Sequence, residues 1–119
     1  MQMLALGLSA LVALLHLYIL VLEMFFWTKP LGRRAFGLDR DFAERSKTLA
    51  ANQGLYNGFL AAGLAWGLMQ GAAQGKPWLV FFLGCVVVAG LFGAATASRK
   101  ILFVQALPGA LALAAVLAI

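Results

Sequence analysis

The chain alternates four long apolar runs with short polar breaks. Residues 3–27 carry only His16 and Glu23 as ionisable groups. A polar stretch, 28–47, leads to a second run at 48–70. Residues 71–76 are a predicted turn, and Pro77 suits the first turn of a third run at 78–97, where a missing N–H costs little. The pair Arg99–Lys100 marks a reversal into the last run, 101–119. A helix that crosses a bilayer needs roughly 20 apolar residues. The pattern therefore predicts an all-α protein, an integral membrane four-helix bundle of left-handed packing, with one domain over 1–119. The first run has no basic residue before it and no small-residue cleavage site before Lys29. It is expected to be a span and not a signal peptide.

Composition strengthens this picture. The 119 residues are 64% hydrophobic and 11% charged, and the mean hydropathy is +0.95. Four acidic and nine basic residues cannot clothe a water-soluble domain of this size. The net charge of +5 does not point to nucleic acid, because the bases flank the apolar runs. Lys29, Arg33, Arg34, Arg40, Arg45 and Lys47 fall in the first break and Arg99 and Lys100 in the third, with only Lys76 on the opposite side. The positive-inside rule then places 28–47 in the cytoplasm and both termini outside (N-out/C-out), multi-pass in a bacterial cytoplasmic (inner) membrane. Trp27 and Trp78 fall at opposite ends, as interfacial anchors do. Asp39, Asp41 and Glu44 predict a capped helix start, a short interfacial helix leading into the second span, unless 28–47 is a plain solvated linker. The single Cys85 excludes an intramolecular disulfide and reads as a small apolar packing residue.

Polar side chains in hydrocarbon need partners, so their placement carries information. His16 and Glu23, seven residues apart, share a helical face. Asn52, Gln53, Tyr56 and Asn57 crowd the first turns of the second span. Thr96 and Ser98 end the third, and Gln105 lies one turn inside Arg99–Lys100. With the predicted topology all of these except His16 fall within about two turns of the cytoplasmic surface, Glu23 about 6 Å and His16 about 16 Å deep. The expectation is a polar pocket open to the cytoplasm, built from His16, Glu23, Asn52, Gln53, Tyr56, Asn57, Arg99, Lys100 and Gln105. The structural alternative is that Glu23 pairs with Arg99, Lys100 or a base of the first break, and that the amides are interhelical glue. Gly54 and Gly58 form one small-xxx-small pair, and Gly63, Gly67 and Gly71 a longer ridge for close helix approach, within one chain or between copies. Gly90, Gly93, Ala94 and Ala97 offer a matching surface. Pro108 predicts a kink that frees a carbonyl near Val104.

Three segments, His16-Leu-Tyr-Ile-Leu-Val-Leu-Glu-Met24, Leu49-Ala-Ala-Asn-Gln-Gly-Leu-Tyr-Asn-Gly-Phe59 and Ser98-Arg-Lys-Ile-Leu-Phe-Val-Gln105, hold this polar set. On them the chain resembles a family of small bacterial membrane proteins catalogued as domain of unknown function 1304, over nearly its whole length and with no departure from the family pattern. The resemblance implies the fold and the choice of residues, and it implies no activity.

Three functions follow from the residues. The first is a transporter or exporter of a small polar or cationic solute, in which Glu23 binds either a proton or a cation. The size and the carboxylate in the first span are reminiscent of small multidrug-resistance transporters, though the motifs differ. Four short spans enclose little, so this reading requires a homo-oligomer. The second is a membrane enzyme or ligand-binding protein with its site at the cytoplasmic face. In it His16 and Glu23 act as an acid–base pair, Asn52, Gln53, Asn57 and Gln105 orient a polar substrate, and Arg99 and Lys100 hold the anionic headgroup or phosphate of a small-molecule or lipid ligand. Its difficulty is the rise of about 10.5 Å from His16 to Glu23, too long for joint action on one proton. The third is an assembly subunit for another membrane protein. No cofactor or metal is expected, since one histidine and one carboxylate two turns apart leave a coordination shell incomplete, and haem would rest on His16 alone. The lipid bilayer is the expected surrounding partner.

Overall fold

The computed structural model describes residues 1–119. In order the elements are α1 (Gln2–Phe25), α2 (Pro30–Phe36), α3 (Arg40–Met69), α4 (Gly71–Thr96), a π-helical turn (Leu102–Ala106) and α5 (Leu107–Leu117). There is no strand. Two helices, α1 and α4, are long and apolar enough to cross a membrane, each holding an 18-residue stretch of mean hydropathy 2.4. Only 28% and 22% of those stretches is buried within the chain. A core helix of a water-soluble protein is mostly buried, whereas only a minority of each of these two stretches is. In α3 the charges of its first turns and then Asn52, Gln53 and Asn57 dilute the apolar character. The last apolar stretch, Leu102–Leu117, is shorter.

The chain forms two compact units. The larger comprises Met1–Leu14 and Leu60–Ile119. Its core joins Ala5, Val12, Leu64, Leu79, Leu83, Val86, Ala112 and Val116. Glycines set how closely its helices approach. Space beside Gly63 is filled by the Phe82 ring, and a Cβ on Gly67 would lie 2.9 Å from Leu79 Cδ2 and 3.1 Å from Trp78 Cβ. The expected ridge at Gly63 and Gly67 is therefore used inside one chain, against side chains of α4. The surface expected to match it has another partner: Gly90 meets the backbone of Ala106 and Gly93 meets Ile101.

One local expectation is corrected. The predicted turn at 71–76 is helical, and Pro77 lies inside α4, not in its opening turn. Gly71, with φ of 81°, takes up the chain reversal by itself, a conformation open to glycine at no steric cost. The disturbance expected about one turn before Pro108 takes the form of a π turn that contains Val104. The ordinary helical bond ends at Pro108 because proline has no N–H and its ring crowds the preceding turn. The strain is taken up one step earlier, as a π turn in which the Leu107 N–H bonds the Leu102 carbonyl.

The smaller unit is Leu15–Phe59. Within the expected loop at 28–47 it contains α2, which opens on Pro30 and closes on Gly37 in the left-handed region, φ 66°. The α3 helix then begins at Arg40, well before residue 48. Asp39 caps it, its Oδ1 accepting the Phe42 N–H at 2.7 Å, as the acidic run predicts. Exposed Asp41–Arg45 and Glu44–Lys47 pairs line its first turns, worth only a few tenths of a kcal/mol each. Nothing interrupts this polar start before the apolar part, so the two are one helix of 30 residues.

Candidate functional site: the Glu23–Asn57 contact and its cleft

Buried positions of α1 recur every three or four residues at Ala5, Ser9, Val12 and His16, one helical stripe on which Glu23 also falls. Ser9 turns its hydroxyl back to the Ala5 carbonyl at 2.8 Å. His16 is fully buried.

Glu23 meets α3 where that helix presents glycine. A Cβ on Gly54 would lie 2.6 Å from Met24 Cγ, 3.2 Å from Glu23 Cβ and 3.3 Å from the Leu20 carbonyl oxygen, and one on Gly58 would lie 2.7 Å from Leu20 Cδ1. This close approach brings Asn57 within reach. Its Nδ2 donates to Glu23 Oε1 at 2.6 Å and lies 3.3 Å from the Gln53 carbonyl oxygen. The bond is charge-assisted and short, but an amide brings no compensating charge. None of the six bases of 28–47 pairs with Glu23. Arg45 is committed to Asp41 and Lys47 to Glu44, the latter at 2.6 Å.

The carboxylate opens on a cleft of about 340 Å³, lined by Glu23, Phe25, Trp27, Thr28, Lys47 and Thr48, with Met24 and Ala51. Trp27 is held in place: its indole Nε1–H donates to Ser46 Oγ at 3.0 Å, Ser46 in turn donates to the Phe42 carbonyl at 2.7 Å, and the ring packs 4.9 Å from that of Phe36. Ser46→Ala should cost about 1 kcal/mol by orphaning the indole N–H. A lowered thermal midpoint that Ser46→Thr restores is the expected measurement.

The other predicted site residues are not among those that line this cleft. Asn52 and Gln53 have exposed side chains, and Gln53 reaches the contact only through its carbonyl. Tyr56 is 54% exposed and packs edge-on against Phe59, 5.8 Å between centroids. Arg99, Lys100 and Gln105 belong to the larger unit. There Arg99 and Lys100 are exposed at the reversal, and Gln105, inside the π turn, donates to the Val86 carbonyl at 3.2 Å. No three His, Cys, Asp or Glu side chains come together at metal-binding spacing. Ser46, Thr28 and Thr48 escape a sequence reading because hydroxyls beside charged residues look like ordinary solvated surface. The one available signal is that a membrane-end tryptophan needs an acceptor for its N–H.

The features define a class: a small, all-helical chain with two span-grade helices and one carboxylate within an apolar helix, held by an amide. Residues 10–117 match the family described as protein of unknown function DUF1304, and the chain belongs to that family. It is 36% identical over 107 residues to the uncharacterized protein YpaA of Lactococcus lactis subsp. lactis (strain IL1403), covering 88% of this chain and 89% of that one. No solved structure matches the chain.

Proposed function

We propose that the protein crosses the bacterial cytoplasmic membrane four times, N-out/C-out, and as a homo-oligomer carries a small polar or cationic solute bound at Glu23. The apolar exposure of α1 and α4 supports the placement in lipid. The remaining two spans are the apolar part of α3 and the stretch Leu102–Leu117. At 30 residues α3 is about 45 Å long, so its charged first turns project beyond a hydrocarbon core of about 30 Å. The bias of the basic residues sets the orientation.

The observation that carries the functional reading is Glu23 itself: a carboxylate among apolar residues, hydrogen-bonded by Asn57 and paired with none of the bases of its own unit. A structural ion pair would have its base in place. Asn57 fixes Oε1 and leaves Oε2 to take a proton or a cation, so that binding one displaces the other. Phe25 and Trp27 in the adjoining cleft suit an organic cation. Oligomerisation is part of the reading because one copy of four short spans encloses too little for a pathway.

Native mass spectrometry of the protein released from its own membranes tests this, with Glu23→Gln alongside. The expected result is a small polar or cationic molecule retained by the wild type and lost from a variant of unchanged helicity, and moved across proteoliposomes only by the wild type. Identical spectra without a retained molecule would sink the proposal. Retention without flux would favour a ligand-binding protein.

A further inference from the structure

Four cations cluster around α2 without acidic partners. Arg45 and Lys47 are ion-paired, but Lys29, Arg33, Arg34 and Arg40 are not. At about 100° per residue, Pro30, Arg33 and Arg34 fall on one arc of α2, and Leu31, Gly32, Ala35 and Phe36 on the other. Gly32 and Phe36 of the apolar arc are docked on the end of α1. Gly32 is buried against the Phe26 carbonyl, too close for any Cβ, and Phe36 packs on Trp27. Docking in this way leaves Arg34 and Lys29 exposed. Arg33 lies partly buried, and its Nε–H is shielded with no hydrogen-bond partner. Around the cations stand exposed apolar side chains: Phe25 at 65%, Phe26 at 38%, Leu31 at 49% and Phe42 at 47%.

In water this arrangement is doubly unfavourable, since like charges repel and apolar rings stay wet. At a leaflet rich in acidic lipid both costs become gains, because phosphates neutralise the cations while the rings enter the acyl boundary. A guanidinium presents a planar fork that takes a phosphate by two charge-assisted hydrogen bonds together. We propose that α2 is an interfacial clamp for anionic phospholipid, with Arg33 and Arg34 taking the phosphate and Lys29 and Arg40 adding to the local positive field. This inference rests on the membrane placement proposed above and is independent of any solute at Glu23.

The test uses the full chain in a neutral detergent, with phosphatidylglycerol or phosphatidylcholine added and bound lipid counted by native mass spectrometry. Phosphatidylglycerol should be retained and phosphatidylcholine not, and added salt should weaken the retention. Arg33→Gln with Arg34→Gln should lower it by about fivefold per arginine, whereas Lys76→Gln and Glu23→Gln should leave it unchanged. The Arg33→Lys/Arg34→Lys pair, which keeps charge but loses the planar fork, should fall between. Equal retention of both lipids, or full retention by a folded glutamine variant, overturns the clamp. If alkaline carbonate strips the chain from its membranes, the membrane placement falls and the clamp with it. A chain that stays but shows no acidic-lipid preference refutes the clamp alone.

Discussion

Gly54→Leu is expected to abolish Glu23-dependent solute binding while leaving both members of the contact in the sequence. The Cβ alone would lie 2.6 Å from Met24 Cγ and 3.3 Å from the Leu20 carbonyl oxygen. Met24 is flexible and can swing aside, but a main-chain oxygen cannot, so the added bulk must separate α1 from α3. The Asn57–Glu23 bond is only 2.6 Å long and does not survive a separation of about 1 Å. Overpacking of this kind typically costs about 1–3 kcal/mol. Native mass spectrometry and a thermal midpoint check both effects. Gly7→Leu, where nothing lies within 4 Å of the new Cβ, serves as control and should leave binding unchanged without lowering the midpoint. Binding retained in Gly54→Leu would mean that the carboxylate works without Asn57.

The largest loss of stability should come from Gly75→Ala, one methyl group. The new Cβ would collide with the carbonyl of Gly67, and both parties are main chain in packed helices. Relief requires α3 and α4 to move apart at their hairpin end, where the Trp66 and Trp78 rings also pack edge to face, 6.4 Å between centroids. A loss of about 3 kcal/mol is expected, read as a fall in thermal midpoint in detergent. Gly84→Ala, with open space around it, should instead gain up to about 1 kcal/mol, because glycine inside a helix is costly relative to alanine. If the two variants melt alike, the close approach at Gly75 is not what the hairpin depends on.

Much of this was legible in the residues. Hydropathy gives the all-helical class, two of the four expected spans are span-grade helices in the structure, and Asp39 announces the start of α3. Glu23 and Asn57 stand out because polar groups in apolar helices need partners. The boundaries were less legible. A single glycine in the left-handed region can replace a six-residue turn, and nothing in 71–76 reports that Gly71 does so. Pro108 guarantees a disturbance in the last helix but not its form, since the backbone can bend or widen to a π turn. Spacing likewise identifies Gly63 and Gly67 as a close-packing surface without naming Phe82 and Leu79 as what fills it. Those pairings are set by three-dimensional register, to which a linear pattern is blind.

The unbroken run of α3 has a mechanical consequence. From the Asp39 cap to Asn57 it contains no proline, and its salt-paired first turns and glycine-packed middle belong to one rod. A rod tilts and does not bend. Any displacement at the Asp39 end therefore arrives at Asn57, about 27 Å away along the helix, as a sideways swing that lengthens or shortens its reach to Glu23. The only slack between α2 and this lever is 37–39, where Gly37 is already left-handed. That short joint is the fulcrum on which the α3 lever can swing against α2.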